Sequence, residues 1–113
     1  MRSVAAVDLE GSTLCARRLV DYLARQHGGH WCEQQQRGWV DLGFGRVELS
    51  RDSHGLVVRA EGELQDLDRL EDIVGRYLLR FADGHHLAVQ WQRQDGPGSV
   101  QVSPVWPELR RRS

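Results

Sequence analysis

Apolar positions along the chain change period several times, and each change marks an element. From Leu64 to Phe81 they recur at three- and four-residue steps, through Leu67, Leu70, Val74, Tyr77 and Leu78, while Asp66, Asp68, Arg69, Asp72, Arg76 and Arg80 fall outside the stripe. This spacing puts one apolar face on a helix. Acidic residues early and arginines late suit the helix dipole. Gly75 costs about 1 kcal/mol against alanine inside a helix, so it is expected to mark close packing against a sheet. An earlier stripe, Cys15, Leu19, Tyr22 and Leu23, follows Ser12 and Thr13 as candidate N-caps and is expected to stop at Gly28-Gly29.

Elsewhere the period is two. Residues 3–9 read as a first strand. Residues 31–42 read as an extended segment with a kink or turn at Arg37-Gly38, and residues 43–45 as a glycine-rich reversal. Val47 and Leu49 alternate with Arg46, Glu48 and Ser50; residues 51–55 are a turn by composition, and 56–60 a further strand. Beyond the second helix, Leu87, Val89 and Trp91 alternate towards a core. The expected fold is α+β: a single layer of mostly antiparallel sheet with two helices on one face, in the order β-α-β-β-β-α-β, the middle meander having three or four strands. Residues 1–93 would form this domain. Residues 94–113 hold all three prolines and end in Arg110, Arg111 and Arg112, so they are expected to be an extension with a mobile basic end, contributing at most a short strand at 100–102.

Composition narrows the function classes. A chain of 113 residues with 40% hydrophobic and 27% charged positions has room for one modest core. A formal net charge of −1 argues against a dedicated nucleic-acid binder. No apolar run approaches the roughly 20 residues needed to span a bilayer, and the N-terminal stretch turns acidic before a signal-type segment develops, so a cytoplasmic location without membrane attachment is expected. In that reducing compartment the two cysteines, Cys15 and Cys32, are expected to remain thiols.

The stretch Gln26–Glu33, "QHGGHWCE", holds the clearest chemical candidates. His27, His30 and Cys32 are imidazole and thiolate ligands suited to a transition metal or haem. Gly28-Gly29 would separate the two histidines, and the spacing fits no established zinc pattern, so the stretch reads more readily as a helix stop running into a strand. His54 and the adjacent His85-His86 sit in turns, and neighbouring imidazoles point apart in extended chain. Ser12, Ser53 and Cys32 lack a nucleophile-elbow context, and Asp8, Glu10, Asp41 and Glu48 cannot be placed across a cleft from sequence. With no motif that carries a mechanism, the chain is expected not to be an enzyme. Gly43-Phe44-Gly45-Arg46 precedes a strand rather than a helix, which makes it a turn and not a phosphate loop. Trp91 is placed in the core; Trp31 and Trp39 are candidates for contact with a flat ligand or a partner, and Trp106 sits between prolines.

Three segments, "GFGRVEL" (43–49), "LEDIVGRYLLRFA" (70–82) and "LAVQW" (87–91), resemble an uncharacterised small bacterial family, domain of unknown function 2218. The resemblance covers about residues 3–93. It implies an α+β layer similar to the TATA-binding-protein-like or phosphohexomutase C-terminal type. Members are sometimes fused to siderophore-interacting flavoproteins, which implies a link to iron or siderophore handling and a siderophore-interacting reductase as a partner. The family pattern has a cysteine at Val47, a histidine at Tyr77 and an Arg-Glu pair near Gly84-His85; its H-x-x-H is kept here as His27 and His30. The expected function is that of a small, non-enzymatic binding or accessory domain with no required cofactor. The alternatives are a metal- or haem-binding protein using His27 and His30, and a module that homodimerises through its sheet.

Overall fold

The computed structural model describes residues 1–7, 12–52, 55–81 and 88–102, with backbone alone at 12–14 and 52. The elements run β1 (Arg2–Val7), α1 (Ser12–Ala24), β2 (Gly29–Cys32), β3 (Arg37–Asp41), β4 (Gly45–Asp52), β5 (Gly55–Gly62), α2 (Leu67–Phe81), β6 (Ala88–Arg93) and β7 (Gly96–Val102). The seven strands form one antiparallel sheet in the order β2-β3-β4-β5-β1-β6-β7. The fold is therefore α+β, with a continuous antiparallel sheet and two helices.

Strand alternation decides which side of the sheet is covered. Ala5 lies opposite Val58 and Val58 opposite Leu49, while Val40, Val47 and Ala60 form the adjacent row. All six are buried. α1 packs over β2 to β5 and α2 over β1, β5, β6 and β7, both on this side. Burying a side chain such as Leu19, Leu67, Leu70 or Leu78 at this interface contributes about 1.5–3 kcal/mol over leaving it exposed. The helices also join each other through Tyr22, Tyr77 and Phe81, whose rings lie 5.0–6.1 Å apart. Cys15 of α1 donates its thiol to the carbonyl of Leu78, 3.1 Å away. Burial pushes that thiol up to about 11, against a smaller opposing effect of Arg18.

The structure departs from the sequence reading at three places. The turn expected at Arg37-Gly38 lies at 33–36, and four strands separate the helices, the larger of the two numbers expected. Gln36 takes a left-handed φ of 53°, and its side-chain amide donates to the Glu33 carbonyl at 2.6 Å, closing a tight hairpin just before the expected position. Gly38 belongs to β3, and it is glycine because the Trp31 ring covers it: a Cβ there would stand 2.7 Å from Trp31 Cε3. Leu64 is 53% exposed, because the chain enters α2 through a 3-10 turn at Leu64–Asp66 whose period differs from that of the stripe. Beyond residue 93 the sheet continues into β7, which pairs with β6 and packs on α2. Pro97 is accommodated because β7 is an edge strand.

Candidate functional site

The side of the sheet away from the helices has no described element over it, and its β2–β3–β4 corner gathers the chain's most varied side chains. Register does this. His30 lies opposite Trp39, Cys32 opposite Arg37, and Trp39 opposite Glu48, so all five project from the uncovered side. With Arg46 they line a shallow hollow of about 250 Å³. The Arg46 guanidinium sits over the Trp39 ring, 4.6 Å from its centroid, and 3.9 Å from the Glu48 carboxylate. Arg37 is exposed and has no ion pair or hydrogen bond from its side chain to any described residue.

The residues singled out from sequence separate into two groups. His30 and Cys32, two apart on one strand, share the hollow. His27 does not: it is exposed in the turn that follows α1, its amide donating to the Leu23 carbonyl at 3.0 Å. α1 ends at Ala24, and Gly28, at φ 135°, turns the chain into β2. Among the described residues no group of three or more His, Cys, Asp or Glu side chains is placed to hold a metal ion, and His27 stands outside the hollow that His30 and Cys32 share. Trp31 and Trp39 likewise face opposite sides. Trp31 lies opposite Gly38, which puts Trp39 one residue out of step with it. Trp31 is buried under α1, where its indole donates to Glu33 at 2.9 Å and Arg17 of α1 holds the same carboxylate at 3.2 Å. Cys15 and Cys32 are free thiols on opposite sides of the sheet. The expectations for Asp8, Glu10, Ser53, His54, Gly84-His85, His86, Leu87, Trp106 and Arg110 to Arg112, and the capping side chains of Ser12 and Thr13, lie outside the described residues.

The sequence profile of a family described as uncharacterized protein conserved in bacteria, domain of unknown function 2218, matches residues 4–92. The chain belongs to this family. No curated protein matches it. No described helix of this family member is long and apolar enough to cross a membrane.

Sequence reasoning missed the most tightly bound charged group in this member of the 2218 family. Glu71 of α2 is fully buried. Its Oε2 accepts from Ser3 Oγ at 2.5 Å and Arg93 Nε at 2.9 Å, and its Oε1 accepts from Arg93 Nη2 and the Ser99 amide, both at 2.9 Å. Burial pushes the carboxyl up, but the hydrogen bonds from Arg93, Ser3 and Ser99 outweigh it and hold the group at about 2. Arg93 is held charged by Glu71 first and by Asp68 second. The signal was present in the pattern: Glu71 follows Leu67 by four and precedes Val74 by three, a stripe position where an acid must find partners. Its partners Arg93 and Ser99 lie just past the matched residues. All four donors are spent inside the cluster, which makes it a clamp of β1, β6 and β7 onto α2 and not a reactive site.

A larger hollow, about 490 Å³, runs along the outer side of α2 past Ile73, Arg76, Tyr77, Leu79 and Arg80. Its described lining comes from a single helix, and Arg76 is already engaged by Asp72 at 2.6 Å. The smaller hollow on the sheet has three strands converging on it and an uncommitted cation, so it is the better candidate.

Proposed function

We propose that the chain is a small, non-enzymatic binding or accessory domain that works through the uncovered side of its sheet, in iron or siderophore handling. The observation that carries the binding reading is the hollow at the β2–β3–β4 corner, where Trp39, Arg37, Arg46, His30 and Cys32 meet. The iron context comes from the family resemblance, in which such domains accompany siderophore-interacting flavoproteins. In this reading the domain is cytoplasmic, needs no resident cofactor, and presents a ferric siderophore to a reductase or docks on the reductase itself.

Calorimetric titration with ferric siderophores and with a siderophore-interacting flavoprotein tests this. Binding to either, with a raised kcat/KM of the reductase when the domain is added, is the expected result. Reduction of a ferric siderophore by the domain and NADPH alone, or binding to neither, overturns it. A second reading, metal binding, draws on one observation: His30 and Cys32 line the same hollow. Elemental analysis and a visible spectrum of protein purified without chelators decide it, and a colourless, metal-free protein whose melting is unmoved by zinc, iron or haem removes it.

A further inference from the structure

The side chains at the β2–β3–β4 corner specify a ligand more narrowly than the binding reading on which this inference rests. Size comes first. A volume of about 250 Å³ falls below the roughly 300–1,000 Å³ usual for drug-sized pockets, which leaves room for about one substituted ring. The wall is aromatic: Trp39 is half-buried, and no described group accepts from its indole N–H, whereas Trp31 donates to Glu33 and Trp91 to Gln101. The Arg46 guanidinium packs on that ring and so is pre-oriented at the hollow's edge. Arg37, two residues before Trp39 on the same side of β3, is exposed and unpaired among the described residues, and a planar guanidinium fork matches a carboxylate bidentately. Glu48, opposite Trp39, is the single described carboxylate in the lining, and the Arg46 guanidinium lies 3.9 Å from it.

We infer that this hollow binds a one-ring aromatic anion, its ring against Trp39 and its carboxylate on Arg37. Two guanidinium groups against one carboxylate favour an anion over its neutral isostere. The site is open to solvent, so its affinity for so small a probe is modest, with a Kd of about 0.1–1 mM at low salt.

The test is a titration of isotope-labelled protein followed by NMR of the tryptophan indole N–H signals, with Trp39 assigned by its loss in Trp39→Leu. Salicylate is expected to shift the Trp39 signal saturably and leave those of Trp31 and Trp91 in place. Salicylamide, the neutral isostere, and cyclohexanecarboxylate, the non-aromatic anion, are each expected to bind about tenfold more weakly. Arg37→Gln should weaken salicylate about tenfold by the Trp39 signal, and Arg59→Gln, opposite Glu48 on the same side of the sheet but outside the hollow, by less than twofold. All three substitutions lie on the uncovered side, and unchanged urea midpoints confirm that the variants fold. The inference is overturned if salicylamide equals salicylate, if Arg37→Gln binds normally, if Arg59→Gln weakens binding as much as Arg37→Gln, or if no saturable shift occurs by 10 mM. Siderophore or reductase binding that persists without salicylate binding removes this ligand class alone; loss of both removes the reading beneath it.

Discussion

Replacing Glu71 by glutamine keeps the shape of the clamp between α2 and the β6–β7 end of the sheet and removes its charge. One carboxylate oxygen receives Arg93 Nη2 and the Ser99 amide, and the other receives Ser3 Oγ and Arg93 Nε. In the amide, one of these oxygens becomes an NH2 group. Ser3 can rotate its hydroxyl to accept from it, but Arg93 and the Ser99 amide have only protons to offer. At least one donor in or beside a fully buried position is left facing another donor, at a cost of about 1–3 kcal/mol, and the charge attraction to Arg93 is lost as well.

Linkage expresses the same hydrogen bonds as a dependence on pH. A carboxyl held at about 2 in the folded protein, against 4.5 ordinarily, contributes about 3 kcal/mol at neutral pH. Because the folded value is depressed, this contribution is complete above the ordinary value and is lost as the pH falls from about 5 towards 2. Glu71→Gln should therefore lower stability by about 3 kcal/mol at pH 7, and the gap from the native protein should close on acidification. Urea unfolding followed by circular dichroism, at pH values from 7 down to 3, measures both effects. A gap below 1 kcal/mol at pH 7, or one that stays constant down to pH 3, would refute the assignment of a buried, fully hydrogen-bonded carboxylate.

Other sites give sharper local tests. Gly98→Ala would place a Cβ 2.5 Å from Glu71 Oε2; the strain should cost about 1–3 kcal/mol by urea unfolding and raise amide exchange selectively in β7. Gly38→Ala would set a Cβ 2.7 Å from the Trp31 ring and 2.8 Å from the His30 carbonyl, so it should destabilise by a similar amount and alter the tryptophan fluorescence of the folded state. Leu78→Ala, at a fully buried position between the helices and the sheet, should cost about 2–5 kcal/mol by the same unfolding assay. Cys15, buried and raised to about 11, should resist thiol reagents at pH 8 until the chain unfolds, whereas Cys32, in the open hollow, should react in the folded state; two thiols labelling at one rate would contradict this placement.

The class of fold was legible because period is a local property. Leu67, Leu70, Val74 and Leu78 declare a helix with one buried face whatever that face meets, and the alternation at Val47 and Leu49 or Val89 and Trp91 declares strands with one. Gly75 was expected to mark close packing, and it does: the Gln101 side chain occupies the space that a Cβ would need. The hairpin was legible as a turn but not at its place, Glu33–Gln36, because the glycine that drew the expected turn to Arg37-Gly38 serves instead to pack under Trp31.

The site was legible only as a set of residue types. Sequence alone determined that His30 and Cys32, two apart in a strand, share one side, since strand side chains alternate with period two. It could not say that Trp31 and Trp39 part company, because that depends on which residue of β3 stands opposite which residue of β2. Nor could it join Glu71 to Ser3, Arg93 and Ser99, 68, 22 and 28 residues away, or set β1 between β5 and β6. Local spacing fixes which way a side chain points from its own element; what it then meets is settled by long-range pairing, where burial and hydrogen bonding have to be satisfied over the whole chain together.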